Sequence, residues 1–250
     1  MKNLLARALT LLGLLLAFVA PALHAGTFST TAWTGDASTS IASGPTTWAY
    51  HFGATTNPTV NGVTVTGIAT APASNTNFDL VAPTPAVLHN DTNALTALTG
   101  TGSAVMAHDF VYSNASGGVE SVTVKGLTPG VTYTVSFFSV GFEALLNTRL
   151  LTFASPNGIG TDSLSVDQDL YGIDKGIRVD YTFTAAAGTQ LITITPQNPS
   201  YRFHLYGLAL RAFVVSTNAD SGAGSLRQAL ADAAAAPGAN TVTFAPALSG

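Results

Sequence analysis

The chain has 250 residues, a formal net charge of −4, no cysteine, and 9% charged against 46% hydrophobic residues. The acidic balance argues against nucleic acid or anionic lipid as a partner, since both need a basic surface, and without thiols the stability must come from a packed core. Charge is far below the usual quarter of a globular chain; Thr, Ser, Asn and Gly take its place, which points to strands joined by turns.

In chain order, Lys2 and Arg7 precede an almost unbroken apolar run from Leu11 to Ala20, broken by Pro21 before Leu23-His24-Ala25. This is the layout of a secretory signal peptide, residues 1–25, cut between Ala25 and Gly26. The apolar run is too short to cross a bilayer comfortably. Its removal leaves seven basic against thirteen acidic residues, a formal charge of −6. No other segment is long and apolar enough for a membrane span, so the mature chain is expected to be secreted or held at the cell surface.

Short runs of alternating apolar and polar residues follow. Trp48, Tyr50 and Phe52 alternate with Ala49 and His51, and Asn61-Gly62 is a strong turn pair ahead of Val63 and Val65. Val122 and Val124, then Tyr133, Val135 and Phe137, then Ile177, Val179, Tyr181 and Phe183, then Ile192 and Ile194 repeat the pattern. Each run predicts a strand with one buried face, and their spacing without helical patterns predicts a sandwich or barrel. Phe137 beside Phe138 predicts a strand buried on both faces or bulged. Phe203 and Leu205 share one parity, Leu208 and Leu210 the other, so a bulge at Gly207 is expected to return all four to the core. In Leu127-Thr128-Pro129-Gly130-Val131-Thr132-Tyr133, a tight turn leads into a strand whose first aromatic can bond back to the turn backbone.

That corner resembles the one in fibronectin type III and related immunoglobulin-like sandwiches. The stretch from Trp33 to Arg211 is also similar to a module of exported bacterial proteins. The match is carried by Trp33-Thr34-Gly35-Asp36, Asn61-Gly62-Val63, the corner, Val166-Asp167-Gln168-Asp169 and Phe203-His204-Leu205-Tyr206-Gly207. The resemblance implies a galactose-binding-like jelly roll and an exported location, and no activity. Residues 26–213 are thus expected to form one antiparallel, jelly-roll-like β-sandwich in an all-β chain.

Composition changes after Phe213. Ser225 with Gln228 makes a capping-box pattern. Leu226, Ala229, Leu230 and Ala233 form an apolar helical stripe, Pro237-Gly238 stops the helix, and Val242 and Phe244 alternate as in a strand. Ser225-Leu226-Arg227 and Asn240-Thr241-Val242-Thr243-Phe244 resemble the opening of right-handed parallel β-helix proteins on bacterial surfaces. In those proteins the helix caps the open end of the solenoid and the strand begins the first coil. Residues 214–250 are expected to be a truncated β-helix cap of helix plus strand that continues beyond Gly250, with a small appendage of the sandwich as the other reading.

Two site classes stand out. Asp167, Asp169 and Asp174, around Gly172, offer oxygen ligands for calcium, although Tyr171 and Arg178 break the EF-hand pattern; a hairpin loop rich in turn formers is the other reading. Trp33, Tyr171 and Tyr206 are candidates for stacking on a sugar ring, Trp33 because its surroundings are Thr, Gly and Asp, and Tyr206 because its parity opposes Phe203 and Leu205; core packing is the other reading. Trp48 reads as core. His51, His89, His108 and His204 lack partners at metal-ligand spacing, and His204 is expected to face solvent. Glu120 and Glu143 carry no glycoside-hydrolase signature. The leading expectation is a non-catalytic surface module that binds a polysaccharide or cell-surface glycan or acts in adhesion. The alternatives are an accessory part of a β-helix polysaccharide-degrading enzyme and a structural spacer.

Overall fold

The computed structural model describes residues 25–70, 73–81, 87–90, 98, 100–144, 148–156, 160–236 and 240–248. The expected leader, Ala25 apart, lies outside the described residues, as do Pro237-Gly238 and the side chain of His89.

Alternating Thr and Ser against Val, Ile and Phe yields long antiparallel strands because each pleat buries one side chain and exposes the next. Six strands form a first sheet in the order β1 (Thr27–Trp33), β14 (Gly176–Thr184), β11 (Thr132–Val140), β17 (Gly207–Arg211), β2 (Thr46–Phe52) and β5 (Thr66–Ile68). Its pairs are antiparallel except β2 with β5. A second, antiparallel sheet runs β13 (Thr161–Asp167), β12 (Leu150–Pro156), β15 (Thr189–Pro196), β10 (Glu120–Lys125), β7 (Phe78–Val81) and β6 (Ala73–Ser74). The chain is an all-β sandwich of these two sheets.

One row of register partners, Thr27, Thr182, Thr134 and Arg211, crosses four strands of the first sheet. The chain therefore joins and leaves this sheet at one end. At the other end β11 finishes at Val140 opposite Gly176, which also faces Trp33.

Between the sheets lie Phe78, Val122, Val135, Phe137, Phe153, Tyr181 and Ile194, none more than 0% exposed. A second core covers the outer face of the first sheet. Trp33, Phe138, Val140 and Tyr206 pack there against Ile41, Val60, Leu98 and Met106. The lid over them consists of α1 (Thr101–Met106) and the hairpin of β3 (Thr59–Val60) and β4 (Val63–Thr64). Asn61 and Gly62 turn that hairpin with φ of 48° and 82°, the left-handed pair a two-residue turn requires. β11 is thus buried on both faces, with Phe137 in one core and Phe138 in the other. On the same outer face Arg178 grips Asp180 through Nε and Nη2 at 2.8 to 3.1 Å.

The corner closes as the sequence suggests: the Thr128 N–H donates to the Tyr133 hydroxyl at 3.1 Å. The parity change in the last segment has a clear origin. β16 (His204–Leu205) pairs with β9 (Asp109–Tyr112), which pairs with β8 (Val87–Asn90) in a third sheet. Tyr206 then donates its N–H to the Phe138 carbonyl while Gly207 is the register partner of Phe138. Two residues face one, as in a bulge, and Phe203, Leu205, Leu208 and Leu210 all reach the inter-sheet core. A Cβ on Gly207 would meet the flexible tip of Met106 at 2.8 Å and the Tyr50 carbonyl at 3.1 Å, so the bulge is tightly packed there.

After Phe213 the chain forms a strand, a helix and a parallel strand: β18 (Phe213–Val215), α2 (Leu226–Ala235) and β19 (Val242–Phe244). Ser225 caps α2 by accepting the Gln228 N–H at 3.2 Å. The Gln228 side chain does not return to the cap; it bonds Asp232 at 2.7 Å, so half of the expected capping box forms. Of the apolar stripe only Ala229 is buried, while Leu226 and Leu230 are 42% and 52% exposed.

Candidate functional site

The residues singled out for calcium and for sugar stacking do not gather in one place. Asp169 is fully buried. Its Oδ1 accepts the Phe142 and Glu143 N–H groups at 2.6 and 3.0 Å, and its Oδ2 accepts from the Thr148 hydroxyl at 3.3 Å. Burial raises its pKa, opposed by those two N–H groups and by the charge of Arg149. Asp167 Oδ1 accepts the Asp169 N–H at 3.0 Å. Asp174 has φ of 60° and, with Gly172, shapes a turn whose Asp174 N–H donates to the Gly141 carbonyl. Among the described residues no group of three His, Asp or Glu side chains could hold a metal. Of the three carboxylates read as calcium ligands, Asp167 and Asp169 accept hydrogen bonds within the protein, and Asp169 fastens the loop to Phe142, Glu143 and Thr148.

Two of the three stacking candidates are core residues. Trp33 is 1% exposed, donates from Nε1 to the Ser103 hydroxyl at 3.1 Å and packs edge-on against Phe138. Tyr206 is fully buried against Phe110. Its parity does oppose Phe203 and Leu205, but that face is covered by the second core. Tyr171 alone is open, 40% exposed on the loop that Asp169 secures. His204, expected in solvent, is 5% exposed. His51 is fully buried beside the Thr56 carbonyl, with a pKa lowered by burial against the raising effects of that carbonyl and of Asp109. His108 pairs with Asp109 at 2.9 Å. Glu120 and Glu143 are not a catalytic pair: Glu120 is buried under the Ser113 N–H, whereas Glu143 holds Arg149.

What the fold does assemble is a pocket at the end of the sandwich where β11 finishes. It is lined by Phe110, Tyr112, Phe142, Arg149, Arg202 and His204 and has a volume of about 170 Å³. Four segments converge there for identifiable reasons. β9 and β16 pair to set Tyr112 opposite His204, and Asp169 pins Phe142. Arg149 immediately precedes β12, and Arg202 is held by its bond to the Asn114 carbonyl at 3.2 Å. The His204 ring stacks on Phe110 at 4.5 Å and meets the edge of Phe142 at 4.7 Å.

Arg149 organises the pocket. Its side chain is 8% exposed, donates from Nη2 to Glu143 at 3.0 Å and from Nη1 to the Arg202 carbonyl at 2.9 Å, and lies over the rings of Phe142 and Tyr201 at 4.8 and 5.1 Å. Arg202 lies over Tyr112 at 5.7 Å. Neither Arg149 Nε nor Arg202 Nε has a hydrogen-bond partner. A shallower hollow of about 400 Å³, lined by Thr148, Leu150, Gln197, Asn198 and Tyr201, adjoins through Arg149. Phe142 is 41% exposed at the rim. Aromatic faces with guanidinium groups between them can hold a small ring with polar substituents: the faces take its apolar side, the cations its oxygens.

Sequence reading missed Phe142, Arg149 and Arg202. A signal was present in Tyr201-Arg202-Phe203-His204, a cation set among rings in a chain that spends few residues on charge.

No family model and no curated protein matches the chain. Among solved structures it is similar to the plant receptor-like kinase ANX2, with a TM-score of 0.52 and 16% identity over 67% of this chain and 48% of that one. It is also similar to the ANX2 ectodomain of Arabidopsis thaliana, with a TM-score of 0.50 and 16% identity over 67% and 49% of the two chains. The ANXUR2 extracellular domain of the same plant matches with a TM-score of 0.50 and 15% identity over 67% and 48%. This chain spans about half the length of these structures. At such identities the likeness establishes the β-sandwich fold and nothing further.

Proposed function

We propose that the protein is an exported, non-catalytic module that binds a glycan through the pocket around Arg149. The observation that carries this reading is the convergence of Tyr112, Phe142 and Tyr201 on two guanidinium groups at one end of the sandwich, with Phe110 lining the same pocket. The volume of about 170 Å³ equals five or six waters at about 30 Å³ each, the scale of one sugar ring. The pocket lies at the end opposite the row where the chain joins and leaves the first sheet, so it faces away from whatever the module is attached to. Export is supported by the leader at 1–25, and no helix among the described residues is long and apolar enough to cross a membrane.

In the same reading, residues 26–213 are the binding domain and 214–250 begin a right-handed parallel β-helix. The parallel pairing of β18 with β19 across α2 and the exposure of Leu226, Leu230 and Phe244 support that second part. The test of binding is a glycan array probed with the full chain and with Phe142→Ala. Phe142 is at the rim, so its loss should abolish glycan capture while the melting temperature stays within about 2 °C. Absence of any glycan captured by the unaltered protein, or unchanged capture by the variant, refutes the site.

A further inference from the structure

Resting on the glycan-binding reading, we infer that the pocket selects a sugar that carries a carboxylate, and that Arg202 is the residue that sets this preference. The argument is a charge inventory of the pocket. Arg149 is committed: Glu143 takes its Nη2, and the charge of Arg149 is also felt by buried Asp169. Arg202 is not. It donates one bond to the Asn114 carbonyl, its Nε has no partner, and none of the ion pairs among the described residues includes it. The Arg149 guanidinium is tied to the Arg202 main chain by the bond at 2.9 Å, which anchors Arg149 beside Arg202.

A guanidinium half withdrawn from water and facing no anion loses solvation that nothing in the protein returns. A neutral sugar entering the pocket would displace more water and deepen that loss. A carboxylate would reverse it, because a planar fork of N–H donors matches the two oxygens of a carboxylate. Tyr112 lies under the Arg202 guanidinium at 5.7 Å, and among the described residues no hydrogen bond engages Arg202 Nη1. The preference is unusual for this chain: with a formal charge of −4 overall, long-range attraction would not collect anionic ligands, so any preference must come from the local pair.

The test is calorimetric titration of the full chain with tri-mannuronate and tri-galacturonate, the methyl ester of each, the matching neutral hexose trisaccharides and galactose 6-sulfate. At least one free uronate should bind about tenfold or more tighter than its methyl ester. Arg202→Gln should bring the free acid down to the affinity of the ester and leave the ester unchanged. Arg202→Lys, which keeps the charge without the planar fork, should keep part of the preference. Equal affinity for acid and ester refutes the inference on the unaltered protein, whether or not the variants fold. Tighter binding of galactose 6-sulfate than of either uronate, or a tenfold preference that survives in Arg202→Gln, also refutes it. If esters and neutral trisaccharides bind as well as the acids, glycan binding stands and the carboxylate preference falls. If no saccharide binds at all, both fall.

Discussion

Glu120 is the sharpest lever on the stability of this protein. It opens β10 with its side chain turned inward at 1% exposure, and its one hydrogen bond accepts the Ser113 N–H at 3.0 Å through Oε1, while Oε2 has no partner. Burial drives its pKa from 4.5 up to about 8, against the lowering effect of the Ser113 N–H. The folded state therefore keeps a proton that the unfolded chain releases above pH 4.5. A group with its folded pKa raised contributes stability that is complete below the unfolded value and is lost as pH climbs toward the folded one. Between pH 4.5 and about 8 the loss accumulates at up to about 1.4 kcal/mol per pH unit, on the order of 4 kcal/mol in all. In a chain of this size that amounts to a fall of roughly 10 °C in Tm. Glu120→Gln keeps an acceptor for Ser113 and cannot ionise. Melting both proteins by circular dichroism from pH 4.5 to 8.5 isolates the effect, because His51, which acts in the opposite sense below its ordinary pKa, is common to both. The variant should match the native protein at the acid end and exceed it increasingly toward pH 8. A difference between the two that stays constant across the range refutes the argument that Glu120 is buried as the acid.

Asp169→Asn removes a charged acceptor from two N–H groups and should cost about 2 kcal/mol, with Phe142 released and glycan capture weakened; added calcium should leave Tm unchanged in native protein and variant alike. Tyr133→Phe loses the bond from the Thr128 N–H and should lower stability by about 1 kcal/mol by chemical denaturation; no change would show the corner is held by packing alone. Amide exchange should be much faster in α2 and β19 than in β11 or β14, since α2 buries only Ala229 and leaves Leu226 and Leu230 exposed; equal protection would tie residues 214–248 to the sandwich as one unit.

The strands were legible because their pattern is local: Val122 and Val124, or Ile177 through Phe183, declare one buried face regardless of what covers it. The corner at Tyr133 and the turn at Asn61-Gly62 were legible for the same reason. The second core was not. Trp33 sits among Thr, Gly and Asp and reads as exposed, yet α1, six residues without an apolar period, and the β3–β4 hairpin come from far along the chain to cover it. Tyr206 shows the same gap, since parity tells which face a side chain takes and not whether that face is covered. The pocket was least legible of all, because Phe110, Phe142, Arg149 and Arg202 meet only through the pairing of β9 with β16 and the anchoring by Asp169. In the acidic loop Asp167 and Asp169 accept backbone N–H groups, an engagement that no spacing rule distinguishes from ligation.

The shared row of Thr27, Thr182, Thr134 and Arg211 also decides how the sandwich would respond to force at its ends. Were force applied between Thr27 and Arg211, the sandwich would hang as a side loop rather than a link in series. Force would peel β1 from β14 one pair at a time, starting at Thr27, instead of shearing all seven pairs together. Such an edge yields early. The pocket lies about 30 Å farther on, at the far end of the nine residues of β11. Force applied between Thr27 and Arg211 would thus be spent at one pole while the pocket at the other stays undistorted.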